Sequence, residues 1–185
     1  MNTVKGILRN LHRYALWLIL SVVIWAWIFT RINDAPASKK LILYADLDAM
    51  DREALAAVLE EDMPDSIRFV ELQLFVDAMF EPANVVRGDM FIVSDSQAEG
   101  VLQDLAVIDK SAFVGRTFYE SEGKAYGILV YDEAAGVRIG AKYLAYEPGG
   151  TYYLFFNRDS QHIGTWNGSA DDAAIRAANT LLSLP

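Results

Sequence analysis

The stretch Leu41-Ile42-Leu43-Tyr44-Ala45-Asp46-Leu47-Asp48 decides the expected fold. Its first five residues are apolar and predict a short buried β-strand. We expect a helix to begin at Asp48, because Asp51 follows three residues later in a capping-box arrangement, and to end before Pro64. A buried strand followed directly by a helix is typical of an α/β domain.

The chain beyond this stretch predicts further strands and helices. The expected strands are 67–75, 90–93, 125–131, 136–145 and 151–157, and the expected helices are 76–86, 97–105 and 173–182. Ser169 is expected to cap the last helix, with Asp172 at its third position. This order of elements favours an α/β fold, a sandwich built on a mixed sheet.

The segment before this domain predicts a membrane anchor. No charged residue lies between Tyr14 and Thr30, and a helix of that length spans roughly 25 Å, the short end of what crosses a bilayer. Lys5, Arg9 and Arg13 precede the run, whereas all 25 acidic residues follow it. The positive-inside rule therefore places the N-terminus in the cytoplasm and the remaining chain outside.

These features predict a single-pass protein of the cell membrane, of bacterial type. We expect a basic cytoplasmic leader (1–13), a transmembrane helix (14–30), a linker (31–40) and an extracytoplasmic α/β domain (41–185). The alternative is a cleaved signal peptide, with Ala35-Pro36-Ala37 as its cleavage site. Both interpretations place the domain outside the cytoplasmic membrane.

Composition excludes several classes of function. The net charge of −9 disfavours nucleic-acid binding, which requires a basic surface. The chain has no cysteine, which excludes disulfides, thiolate zinc sites and cysteine nucleophiles. Its only histidines are His12 and His162, too few for a histidine-cluster metal site, and His162 is expected in a polar surface loop. We expect no metal, no cofactor and no nucleic-acid partner.

Polar residues follow two of the predicted strands. Asp46 and Asp48 come after the first strand, and Ser94 and Asp95 come after the strand 90–93. Ligands of open α/β sheets sit outside the carboxyl ends of the strands. Together with the aromatic ring of Tyr126, these residues form the predicted ligand-binding site. The alternative is that these residues only cap helices, Asp48 one helix and Ser94 or Ser96 another.

The same aspartates also allow an enzymatic interpretation. Asp46-x-Asp48 after an apolar strand resembles phosphatases of the haloacid dehalogenase type. That resemblance implies that Asp46 attacks phosphorus while Asp48 acts as acid and base beside Mg²⁺. Met50 stands where this family usually has threonine or valine, and no acidic pair follows a later strand to complete the metal site.

Three segments in the middle of the chain resemble extracytoplasmic solute-binding proteins of ABC importers. Gly88–Asp95 is similar to the strand that reaches their cleft, 100–105 to the turn after it, and Gly123–Val130 to the strand that enters the lobe, where an aromatic-glycine pair such as Tyr126-Gly127 often lies by the ligand. The resemblance covers residues 41–131 and implies one lobe of a periplasmic binding protein. The chain is too short for the second lobe.

The resulting hypothesis is a membrane-anchored recognition domain and not an enzyme. It binds a small polar solute or a partner protein, with a transporter or another membrane protein as the expected partner. A third hypothesis is a purely structural accessory subunit of a membrane complex. In that case Trp17, Ser21, Trp25 and Ile28 form one packing face of the spanning helix.

Overall fold

The computed structural model describes residues 2–33, 36–74, 88–169 and 171–185. The chain divides into two compact units, Met1–Pro36 and Ala37–Pro185. The first unit contains helix α1, Asn2–Asn33, which includes the whole apolar run from Tyr14 to Thr30. Among the residues that the structure describes, none of the helices combines the length and apolar character that a membrane span requires.

The second unit is built around a mixed sheet. In its described part, seven strands form the main sheet: β1 (Lys40–Ala45), β3 (Phe69–Leu74), β4 (Met90–Ser94), β5 (Phe118–Ser121), β6 (Lys124–Asp132), β7 (Val137–Arg138) and β9 (Thr151–Phe156). A small second sheet pairs β2 (Ala49–Met50) with β8 (Leu144–Ala145). Among its described residues, the α-helices are α2 (Arg52–Glu60), α3 (Asp95–Val101) and α4 (Ala173–Ser183).

Strand direction decides which chain ends meet at each edge of the sheet. The order is β3-β1-β4-β9-β6-β5, with β7 also paired to β6. Strands β3, β1 and β4 run parallel, whereas β9 runs antiparallel to both β4 and β6. The carboxyl ends of β1, β4 and β6 therefore share one edge with the amino end of β9. The predicted α/β fold with a mixed sheet is confirmed.

Side chains that alternate along the strands form two hydrophobic clusters, one on each face of the sheet. The larger cluster includes Leu43 and Ile92, and receives Leu55 of α2 and Leu181 of α4. The smaller cluster, on the opposite face, contains Tyr44, Phe91, Val93, Ala98, Leu105 and Phe155. Because Ala98 belongs to α3, helices contribute to both faces, as in a sandwich of layers.

One predicted helix start and one predicted cap are wrong. Helix α2 is capped by Asp51, whose carboxylate accepts the Ala54 N–H at 3.2 Å, because the residues after Asp48 pair with β8 instead of entering the helix. Helix α4 begins at Ala173, as predicted, but its N-cap is Asp172, and the Ser169 hydroxyl donates to the Gly164 carbonyl. The start of α2 thus depends on a tertiary pairing that the local spacing does not show.

The remaining differences concern strands. The predicted strand 136–145 is two short strands, β7 and β8, because the chain turns at Gly140, where φ is +64°. Strand β5 was not predicted. The predicted helix 76–86 lies outside the described residues.

Candidate functional site

A cleft of about 570 Å³ opens at the sheet edge where β1 and β4 end and β9 begins. Its volume falls in the range of small-ligand sites. We call it the strand-end cleft, and three chain segments line it: Asp46, Leu47 and Asp48; Ser94, Asp95, Ser96 and Gln97; and Glu147, Gly149, Gly150, Thr151 and Tyr152. The structure thus brings together four of the five predicted site residues.

The two aspartates after β1 are held by the sheet itself. The backbone N–H of Asp46 donates to the Ile92 carbonyl at 2.8 Å, which extends the β1–β4 pairing one residue beyond the strand. Asp46 is half-buried, whereas Asp48 is exposed. The backbone of Asp46 therefore has a fixed position at the end of β1, and the side chain of Asp48 is open to solvent.

Ser94 and Asp95 lie where β4 passes into α3. Ser94 precedes the helix with extended backbone angles, but its side chain makes no capping hydrogen bond and lies 3.1 Å from the Ser96 hydroxyl. Asp48 caps no helix either, since Asp51 occupies that position in α2. Asp48 is therefore not a helix cap, whereas Ser94 stands at the N-cap position of α3 without a capping hydrogen bond from its side chain.

The third wall of the cleft is a tight turn. The Gly150 N–H donates to the Glu147 carbonyl at 3.1 Å, and Gly149, the third residue of the turn, has a φ of +77°. Proline at the second position and glycine at the third are typical of a type II turn. A Cβ atom on Gly150 would lie 2.7 Å from the Tyr152 ring, so this glycine lets the turn lie against that ring.

The sequence does not assign Glu147, Thr151 or Tyr152 to the site. These residues precede or begin a strand, whereas the rule for open α/β sheets points to residues that follow strands. Only the antiparallel pairing of β9 with β4 places them at the cleft. The antiparallel direction of β9 was the missing information.

The charge of the cleft is negative. Burial raises the pKa of Asp46, and the neighbouring carboxylates of Glu147 and Asp48 raise it further. Burial also raises the pKa of Tyr152; a hydrogen bond to the Glu147 backbone lowers it, and the same three carboxylates raise it. The described residues that line the cleft include no lysine, arginine or histidine. This arrangement attracts cations and repels anions.

Tyr126, the fifth predicted site residue, is not among the residues that line the cleft. It lies near the amino end of β6, six residues before Asp132, which corresponds to about 20 Å along a strand. Its partly buried ring packs against the smaller hydrophobic cluster, as do Tyr119 and Tyr153. The aromatic wall predicted for the site is instead supplied by Tyr152.

Comparison of the chain with protein-family models, with curated proteins and with solved structures found no match. The resemblance to solute-binding proteins therefore stays a prediction from the residues. The function of this chain is therefore inferred from its own geometry and charge.

A second polar group lies at the opposite edge of the sheet and is buried. Asp89 accepts the Ile42 N–H at 2.8 Å and the Ser160 hydroxyl at 2.6 Å. Burial raises the pKa of Asp89, and the hydrogen bonds from Ser160 and Ile42 lower it.

His162 is only 2% exposed, so its prediction as a surface residue is wrong. The Ser160 hydroxyl accepts from the His162 backbone N–H and not from its ring, which is not the arrangement of a catalytic triad.

Among the described residues, no group of three or more histidine, aspartate or glutamate side chains is arranged to hold a metal ion. The carboxylates of the strand-end cleft come from all three of the segments that line it.

Proposed function

We propose that this chain is a membrane-anchored recognition protein whose outer domain binds a small, positively charged polar solute in the strand-end cleft. One observation carries the proposal: four carboxylates, from Asp46, Asp48, Asp95 and Glu147, line one cleft together with hydroxyl groups. Preorganised negative charge without a basic neighbour is what an ammonium or guanidinium group requires.

The polar residues of the cleft support a ligand that also carries hydroxyl or carbonyl groups. Ser94, Ser96 and Thr151 offer hydroxyls, and Gln97 offers an amide, beside the carboxylates. Tyr152 presents the edge of an aromatic ring beside Gly150. A cleft with one open side leaves part of the ligand in water, so we expect modest affinity unless a partner chain supplies the opposite wall.

The anchor is proposed from α1. This helix continues without a break through the run from Tyr14 to Thr30, and its large apolar side chains, Trp17, Trp25 and Phe29 among them, are exposed. A continuous apolar surface of this kind marks a membrane or protein contact. With Lys5, Arg9 and Arg13 before it, the segment is proposed to place the N-terminus in the cytoplasm and the domain outside, with a transporter or another membrane protein as partner.

A structural detail of α1 bears on the accessory-subunit hypothesis. The Ser21 hydroxyl, which lies on the face of Trp17 and Trp25, donates to the Trp17 carbonyl at 2.8 Å. A serine satisfied within its own helix does not require a hydrogen-bond partner from another helix. Ser21 therefore gives no polar reason for that face to dock.

A phosphatase is the second candidate, favoured by the presence of Asp46 and Asp48 in one cleft. Its substrate would carry a phosphate group, which the surrounding carboxylates of Asp95 and Glu147 repel. The charge of the cleft thus favours cation binding. Hydrolysis of an aryl phosphate with Mg²⁺, lost in Asp46→Asn, would support the enzyme instead.

The proposal is tested by ligand panels on the full-length protein in lipid nanodiscs. Thermal unfolding is followed with amines and guanidines (lysine, arginine, putrescine, choline) and with a neutral sugar and a dicarboxylate as matched probes. We expect the cations alone to raise Tm, by mass action on the folded state. Stabilisation by the dicarboxylate, or by none of the cations, would contradict the proposal.

Two variants locate the binding. Asp48→Asn and Glu147→Gln each remove one charge from the cleft, and we expect each to weaken cation binding about tenfold. Asp65→Asn is the matched control, because Asp65 is exposed and does not line the cleft. Equal affinities in all three variants would place the ligand elsewhere.

A further inference from the structure

The ring of His162 lies between two hydrogen-bond acceptors. Its Nδ1 is 2.8 Å from Oδ1 of Asp171, and its Nε2 is 3.4 Å from the carbonyl oxygen of Ala37. The ring is buried, so water does not compete for these contacts. Both ring nitrogens therefore face an oxygen that can only accept.

This geometry assigns the protons of the ring. A carboxylate cannot donate, so Nδ1 carries a hydrogen and donates to Asp171. A neutral imidazole has only one N–H, which leaves a lone pair on Nε2 directed at the Ala37 carbonyl. Only the imidazolium donates to both residues. The proton that the ring gains or loses is consequently the one that bonds Ala37.

Carboxylates surround the ring. Asp171 touches it directly, and Asp89 is connected to it through Ser160, whose hydroxyl donates to Asp89 and accepts the His162 backbone N–H. Asp159 lines the same hollow, of about 470 Å³, whose described lining contains no lysine or arginine. Lys39, the charged residue of the neighbouring 3-10 helix, is not part of that lining. Asp171, Asp89 and Asp159 are thus the charged groups that the described structure places around His162.

Ala37 is the residue at which the second unit begins. It starts the exposed 3-10 helix Ala37–Lys39, directly before β1. Lys39 is held through its carbonyl, which accepts the Arg68 N–H at 2.8 Å. An exposed segment at the beginning of a unit opens easily, and the His162 contact helps to hold its first residue in place.

We propose that His162 is a pH-dependent clamp on the entry of the domain: the protonated ring holds Ala37 through Nε2, and the neutral ring releases it. Protonation of the His162 ring and the bond from its Nε2 to Ala37 favour each other. The bond forms more strongly with the protonated ring, and by linkage the ring binds its proton more strongly when the bond is formed. The segment is therefore fastened in acid and loosened as the pH rises through the titration of the ring. This inference is independent of the proposed ligand.

The test is hydrogen exchange of the full-length protein in nanodiscs, read on the peptide that spans residues 36–41 between pH 5.5 and 8.5. Rates are corrected for the chemical effect of pH with an unstructured peptide of the same sequence. We expect protection to fall about tenfold across this range, as expected for loss of one charge-assisted hydrogen bond. Protection that does not change with pH would overturn the proposal.

Two histidine variants provide the matched comparison, since the chain has only His12 and His162. His12→Gln lies outside the domain and should keep the pH dependence, whereas His162→Gln should abolish it. Equal pH dependence in both variants would contradict the clamp.

A third arm does not depend on whether His162→Gln folds. Nitrogen NMR of the imidazole in the unmodified protein reports protonation at Nε2 directly. We expect Nε2 to carry a proton at pH 5.5 and to lose it by pH 8.5. A ring whose protonation does not change over this range would overturn the proposal.

Discussion

Ser94 lies directly opposite Tyr152 in the sheet, at the carboxyl end of β4 and near the amino end of β9. This antiparallel pair brings the turn before β9 to the edge where the parallel strands β1 and β4 end. The carboxylate of Glu147 thereby joins those of Asp46 and Asp48, and each influences the ionisation of Asp46. The candidate site depends on this meeting of a parallel and an antiparallel segment.

The close approach of Gly150 to Tyr152 gives the first prediction. Gly150→Ala places a methyl group 2.7 Å from the ring, so either the turn or the ring must move. We expect a loss of about 1–3 kcal/mol in the free energy of unfolding, measured by denaturant titration, and weaker cation binding. Gly100→Ala is the control, because no atom lies within 4 Å of its added Cβ and helix α3 tolerates alanine. Equal stabilities of the two variants would contradict the packing described.

The second prediction concerns pH. The pKa of Asp46 is raised in the folded state, so the folded protein binds its proton more tightly than the unfolded chain does. Its ionisation therefore lowers stability as the pH rises above the ordinary carboxyl pKa of 3.8 towards the raised pKa. Asp46→Asn should increase Tm slightly at pH 7, and this gain should vanish at pH 3. A variant that is less stable than the unmodified protein at pH 7 would show that Asp46 is held by an attractive contact instead.

The third prediction tests the buried polar group. Both carboxylate oxygens of Asp89 accept hydrogen bonds, from Ile42 and Ser160. Asp89→Asn turns one acceptor into a donor and leaves that contact unmade in a buried place. We expect a loss of about 1–3 kcal/mol in unfolding free energy. The exposed change Asp65→Asn should cost less than about 0.5 kcal/mol under the same conditions. A similarly small cost for Asp89→Asn would argue against the buried network.

The fourth prediction separates the cleft from the aromatic face. Tyr126→Ala removes a ring that packs against the smaller hydrophobic cluster. It should lower Tm while leaving the Kd for the cation unchanged, whereas Asp95→Ala should weaken binding. If Tyr126→Ala weakened binding and Asp95→Ala did not, the site would lie on the sheet face.

Much of the framework could be predicted from local patterns. The apolar run Leu41–Ala45 is buried on both faces of the sheet, and such runs predict strands well. Asp46, Asp48, Ser94 and Asp95 were found because parallel strands place their carboxyl ends together. These predictions need only the residues that are adjacent in sequence and the rule that ligands lie outside the carboxyl ends of parallel strands.

The rest depended on contacts between distant residues. The local sequence does not show that α2 starts after Asp51 and not at Asp48. The pairing of β2 with β8 decides this. His162 lies in a polar stretch of sequence, and its burial follows from contacts with Asp171 and Ala37, the second of them 125 residues away. A local pattern contains no signal for such partners.

The central claim is that the strand-end cleft binds a cation. It is tested most directly by backbone NMR of the full-length, isotope-labelled protein in nanodiscs, titrated with the cation that gives the largest rise in Tm. The account predicts saturable shift changes confined to residues 46–48, 94–97 and 147–152, and their loss in Asp48→Asn. Saturable changes centred on other residues, or none at millimolar concentrations of every cation in the panel, would contradict it.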